Sequence, residues 1–102
     1  MKAISEIGVE EGVISRIREI FKAHEEVEEV VLYGSRAMGN YKPFSDFDLT
    51  MKGSKLTLTI QQKIETELEE LMLPYTFDLS IFHKISNQDL LDHINRVGMK
   101  FY

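Results

Sequence analysis

The apolar positions of the chain follow two rhythms. Ile14, Ile17 and Phe21 recur at helical spacing, with Val13 and Ile20 widening the stripe and His24 closing it. That pattern predicts a first helix from about residue 11 to 25. Residues 29–33 read as a buried strand ending at Gly34, followed by a short helical turn over 35–39. Gly39, Asn40 and Pro43 then mark a loop. From 46 to 51 the rhythm becomes alternation, with Phe47, Leu49 and Met51 on one face and Asp46, Asp48 and Thr50 on the other. Gly53-Ser54 closes this second strand. Helical spacing returns with Ile60, Ile64, Leu68 and Leu71, until Pro74 stops it. A third strand runs from about 75 to 82. It has Tyr75, Phe77, Leu79 and Ile81 facing one way and Thr76, Asp78 and Ser80 the other. Ser86-x-x-Asp89 resembles a capping box, opening a last helix with the stripe Leu90, Ile94 and Val97 and a stop at Gly98. The tail residues Met99, Phe101 and Tyr102 are expected to pack on the domain's own core.

The order helix, strand, turn, strand, helix, strand, helix predicts an α/β (α+β) domain of two layers, a small mixed sheet flanked by helices. With 102 residues there is room for one domain, 1–102, and one modest core. No apolar run reaches membrane-spanning length, and the N-terminus lacks the apolar stretch of a signal peptide. Cysteine is absent, which removes disulfides and thiolate metal sites. By elimination these features point to the cytoplasm.

Charge sharpens the picture. The net charge of -5 argues against non-specific nucleic-acid binding, which needs a basic footprint. Yet residues 34–55 carry four basic and two acidic side chains, a local balance of +2 against -7 for the remainder. A polyphosphate prefers such a surface.

The candidate chemistry lies in that same stretch. Asp46 and Asp48, two apart on a strand, project to one side. Asp78 has the equivalent phase on the third strand, and the tripeptide Phe-Asp-Leu recurs at 47–49 and 77–79. If the two strands are neighbours, three carboxylates converge. Their mutual repulsion calls for cations or raised pKa values, and hard oxygen ligands suit Mg²⁺. Gly34-Ser35, between a strand and a helical turn, would let a phosphate approach the backbone, with Arg36 adding charge and donors. A P-loop is excluded, because Asn40 and Tyr41 follow Gly39 where Lys and Ser/Thr are required. His24, His83 and His93 stand singly, without metal spacing, and read as structural or solvated.

Gly34-Ser35, ten residues, then Asp46-x-Asp48 resembles the signature of the polymerase beta nucleotidyltransferase superfamily. The longer stretch LYGSRAMGNYKPFSDFDL is similar to its smallest members, the minimal nucleotidyltransferases (MNT), which act as antitoxins beside helical HEPN toxins. This resemblance implies that Gly34, Ser35 and Arg36 hold the phosphates of a nucleoside triphosphate such as ATP. It implies that Asp46, Asp48 and Asp78 are catalytic and bind two Mg²⁺ ions, with Asp78 also activating the acceptor hydroxyl. The reaction implied is transfer of AMP, or another nucleotide, to a tyrosine of the toxin. Two other readings stay open: a binding module that neutralises its partner by contact alone, and a modifier of a small molecule or RNA end. One departure is Met38, where the family often has a second arginine; Lys42 is a possible substitute. The small size leaves the acceptor surface to a partner or to a second copy in a homo-oligomer.

Overall fold

A computed structural model of the protein describes residues 7–102, so the first six residues of the expected domain lie outside it. Its elements are helix α1 (Glu11–Lys22), strand β1 (Glu29–Tyr33), helix α2 (Gly34–Met38), strand β2 (Phe47–Lys52), helix α3 (Leu58–Glu70), strand β3 (Phe77–Ile81), helix α4 (Gln88–Val97) and strand β4 (Met99–Lys100). A 3-10 turn, Phe82–Lys84, joins β3 to the segment before α4.

The four strands form one sheet in the order β3-β2-β1-β4. β1 is antiparallel to both β2 and β4, whereas β2 and β3 run parallel, so the sheet is mixed. The parallel pair requires a crossover, which α3 supplies. Alternation sorts the side chains as the sequence implies. Val30, Leu32, Phe47, Leu49, Met51, Leu79 and Ile81 are buried in one cluster with Ile14, Ile17 and Phe21 of α1 and Ile64 and Leu68 of α3. On the opposite face Val31 and Tyr33 pack with Ile94 of α4. The helices thus flank the sheet, with α4 adding a partial layer over the face that also carries the aspartates.

Several boundaries differ from the sequence reading, each for a local reason. α1 ends at Lys22 rather than near 25, and His24 turns out of the helix to bond Glu67 of α3 across 2.6 Å. β3 is confined to 77–81, since Phe82 enters the 3-10 turn. The cap of α4 is Asn87, not Ser86: its side chain accepts from the Leu90 amide at 3.0 Å. α3 is capped by Thr57, which accepts from Ile60.

The tail does pack on the core, and it also adds the fourth strand. Phe101 donates its amide to the Val30 carbonyl at 2.8 Å, and Val30 donates to the Tyr102 carbonyl at 2.9 Å. The Phe101 ring, 1% exposed, meets Phe21 and Phe47 edge-on with centroids 6.3 Å away in each case. Arg18 of α1 donates to the Phe101 carbonyl at 2.7 Å and lays its guanidinium over the same ring. Among the described residues no helix is long and apolar enough to cross a membrane.

Removal of the Phe101 ring leaves a cavity between α1 and β2. Phe101→Ala is expected to cost about 3–5 kcal/mol, read as a lower midpoint in urea unfolding.

Candidate active site

Parallel pairing of β2 with β3 aligns the repeated tripeptide: Phe47 faces Phe77, Asp48 faces Asp78 and Leu49 faces Leu79. The two phenylalanine rings stack on the core side at 5.1 Å, which anchors the register. Asp48 and Asp78 are thereby direct neighbours on the other side of the sheet. Asp46 lies one residue before β2 and is held from β3's side, where the Thr76 hydroxyl donates to its carboxylate. Phe47 donates its amide to the Thr76 carbonyl at 2.9 Å, closing the same junction.

The Gly34-Ser35 turn lies against this cluster. Tyr33 pairs with Asp48 across the β1–β2 ladder, and Gly34 follows at φ +74, a left-handed conformation. A β-carbon on Gly34 would overlap the Asp48 carboxylate. Glycine is therefore required twice over, by backbone angle and by the closeness of the carboxylate. Ser35, on the first turn of α2, is partly exposed.

The electrostatics follow from this crowding. Burial pushes the Asp48 carboxyl up to about 6, and the negative charges of Asp78 and Asp46 add to the effect. Burial likewise raises the Tyr33 hydroxyl, whose neighbours include Asp78 and Asp48. Asp46 and Asp78 remain exposed at the mouth of the cluster. No three acidic or histidine side chains among the described residues form a ready-made metal cage. The donors are nevertheless all hard oxygens, without a basic partner in the register pair. A cation that keeps water and substrate oxygens in its shell, as Mg²⁺ does, fits such a set.

Arg36 departs from expectation. The sequence suggests a phosphate contact, but its side chain is fully buried. The guanidinium donates to the carbonyls of Ile7 (2.8 Å), Pro43 (3.2 Å) and Ser45 (3.1 and 2.9 Å). It also lies over the rings of Tyr41, Phe47 and Tyr75, 4.9–5.3 Å from their centroids. Desolvation lowers its pKa from the usual guanidinium value, which the surrounding rings and Asp46 partly counter. Its work is to fix the loop ahead of Asp46 rather than to meet a ligand. Within that loop Ser45 also accepts from the Lys42 amide at 2.7 Å. Met38, in the position of the family's second arginine, is 47% exposed at the end of α2, and Lys42 is exposed on the loop.

One neighbour of the turn escaped the sequence reading. His93 of α4 accepts from the Gly34 amide at 3.2 Å, and its ring meets Tyr33 edge-on. A single histidine without metal spacing gave no signal. Its position one residue before the buried Ile94 was the one clue that it reaches the sheet.

Two outcomes follow from these contacts. Because Asp48 has a higher pKa folded than the ordinary 3.8, its ionisation opposes folding progressively as pH rises from about 4 through 6. Asp48→Asn should therefore raise Tm at pH 7.5 by about 4–8 °C, roughly 1 kcal/mol after allowing for solvent screening, with the gain gone near pH 4. Arg36→Lys keeps the charge but loses the planar fork, and should cost about 2–3 kcal/mol in chemical denaturation.

Comparison with known proteins agrees with this architecture. The family described as Polymerase beta, Nucleotidyltransferase matches residues 15–102. None of the curated proteins compared with the chain matches it. Among solved structures, a toxin–antitoxin complex with AMP-PNP superposes with a TM-score of 0.72 at 15% identity, covering 87% of this chain and 72% of that one. The tri-AMPylated HEPN toxin of Shewanella oneidensis in complex with MNT antitoxin gives 0.66 at 13% identity, over 88% and 69% of the two chains. The MntA-HepT toxin–antitoxin gives 0.67 at 13% identity, over 91% and 72%. These likenesses concern the fold. Together with the match over residues 15–102, they show that the chain belongs to the polymerase beta nucleotidyltransferase family.

Proposed function

We propose that the protein transfers AMP from ATP to a tyrosine hydroxyl of a HEPN-type toxin and so acts as the antitoxin of that pair. The observation that carries this reading is the in-register meeting of Asp48, which lies directly against Gly34, with Asp78. Carboxylates crowded so closely are unfavourable alone and become useful when a cation and a polyphosphate are brought to them. The neighbouring structures with AMP-PNP and with a tri-AMPylated toxin support the choice of nucleotide and partner.

Asp46, Asp48 and Asp78 would hold Mg²⁺, two ions in the full site. Bound there, the metal supplies charge neutralisation for the triphosphate and the departing pyrophosphate. Gly34 gives the phosphates room to approach, and Ser35 donates its hydroxyl and amide to them. Asp78, exposed at the end of the cluster, orients the acceptor hydroxyl and accepts its proton. The acceptor oxygen then bonds to the α-phosphorus as the bond to the bridging α–β oxygen breaks, and pyrophosphate leaves. Positioning and charge supply most of the acceleration. Arg36 contributes by holding the Ser45 carbonyl, so that Asp46 arrives at the cluster in a fixed place. The acceptor surface is left to the partner.

Incubation with ATP, Mg²⁺ and the HEPN partner, followed by intact mass spectrometry, is expected to add AMP to the partner. Asp46→Asn and Asp78→Asn should each lower the rate by at least about 10²-fold. Tight binding without any mass change, equal in wild type and Asp46→Asn, would instead establish a contact-only antitoxin. Nucleotide added to RNA or to a small molecule in place of the partner would overturn the proposed acceptor.

A further inference from the structure

Gly34 stands where β1 becomes α2, and its amide belongs to neither ladder. Amides at a helix start lack intrahelical partners and must find another acceptor. In this structure the acceptor is Nε2 of His93, 3.2 Å away, reaching in from α4. The ring is steadied by its edge-on contact with Tyr33, centroids 6.1 Å apart, while α4 itself packs on β1 and α2. For Nε2 to accept, the ring proton must sit on Nδ1.

We propose that His93 is a positioning residue for nucleotide binding, an inference that rests on the nucleotidyl-transfer reading above. By taking the Gly34 amide, it fixes the peptide plane between Tyr33 and Gly34. Gly34 at φ +74 has more freedom than any other residue would have there, so the turn needs an external restraint to keep one shape. With the Gly34 amide committed to His93, the donors left for the triphosphate are the amide and hydroxyl of Ser35. The phosphate contact of the turn therefore divides in two: Gly34 supplies clearance over Asp48, and Ser35 supplies the hydrogen bonds. His93 itself need not touch the nucleotide.

Two substitutions separate this role from simple packing. His93→Gln keeps an acceptor that can reach the Gly34 amide and loses the ring. His93→Phe keeps a ring against Tyr33 and loses the acceptor. Calorimetric titration with Mg²⁺–ATP should show His93→Phe weakened by about 10-fold, the scale of a lost supporting hydrogen bond, and His93→Gln close to wild type. The Gly34 amide, followed by NMR hydrogen exchange without nucleotide, should exchange faster in His93→Phe and not in His93→Gln. Equal affinity in all three proteins overturns the proposal, as does equal loss in both variants or loss confined to His93→Gln. Failure of the wild type to take up Mg²⁺–ATP is a separate result: it removes the nucleotidyl-transfer reading, and the positioning role falls with it.

Discussion

The fully buried guanidinium of Arg36 is the constraint on which the arrangement of the site depends. A cation removed from water is costly unless its donors and its faces are occupied. Here the donors go to three backbone carbonyls and the faces to three aromatic rings. Those partners come from the segment before α1, the loop after α2, β2 and the approach to β3. One side chain thus ties the N-terminal segment to both strands that carry aspartates. The loop between Gly39 and Asp46 contains a proline and several exposed residues. Without a tether at Ser45 it would have little reason to deliver Asp46 to one position.

The site is the converse case, where satisfaction is withheld. Burial of Asp48, and after it the negative charges of Asp78 and Asp46, push its carboxyl above the ordinary range, and no basic group faces it in its register pair. The same fold therefore contains a cation whose needs are fully met and an anion whose needs are not. Structural stability collects at the first and chemical potential at the second. Phe47 lets the aromatic core serve both: its ring supports Arg36, and its stacking with Phe77 sets the aspartate register.

Much of this was legible in the chain itself. The limits of β1, the alternation of β2 and the phase of Asp78 all follow from period-two patterning, which is local and strong. The repeat of Phe-Asp-Leu even anticipates the register, since identical triplets on parallel neighbours present identical faces. What escaped is non-local. β4 is only two residues long, too short to show a period, and exists because Val30 and Leu32 leave an open edge for the tail. The burial of Arg36 depends on Ile7 and Tyr75, far away in sequence. His93 reaches Gly34 from an element that no motif connects to the phosphate turn. The cap at Asn87 rather than Ser86 is a shift of one residue between two good capping types, a choice that pattern alone leaves open.

The strand order has a kinetic side. β1 pairs with β2 across the segment 34–46, which holds α2 and its loop, but its other edge waits for residues 99–102, at the far end of the described chain. Loop-closure entropy favours the near pairing over the distant one. The carboxylate-bearing strands and their aromatic support can then assemble while the edge of β1 is still bare. Late pairing of the tail would then bring α4 down beside Tyr33. On this order of events, the acidic cluster takes shape before its glycine turn is locked, and the last residues to dock complete a centre to which they contribute no ligand.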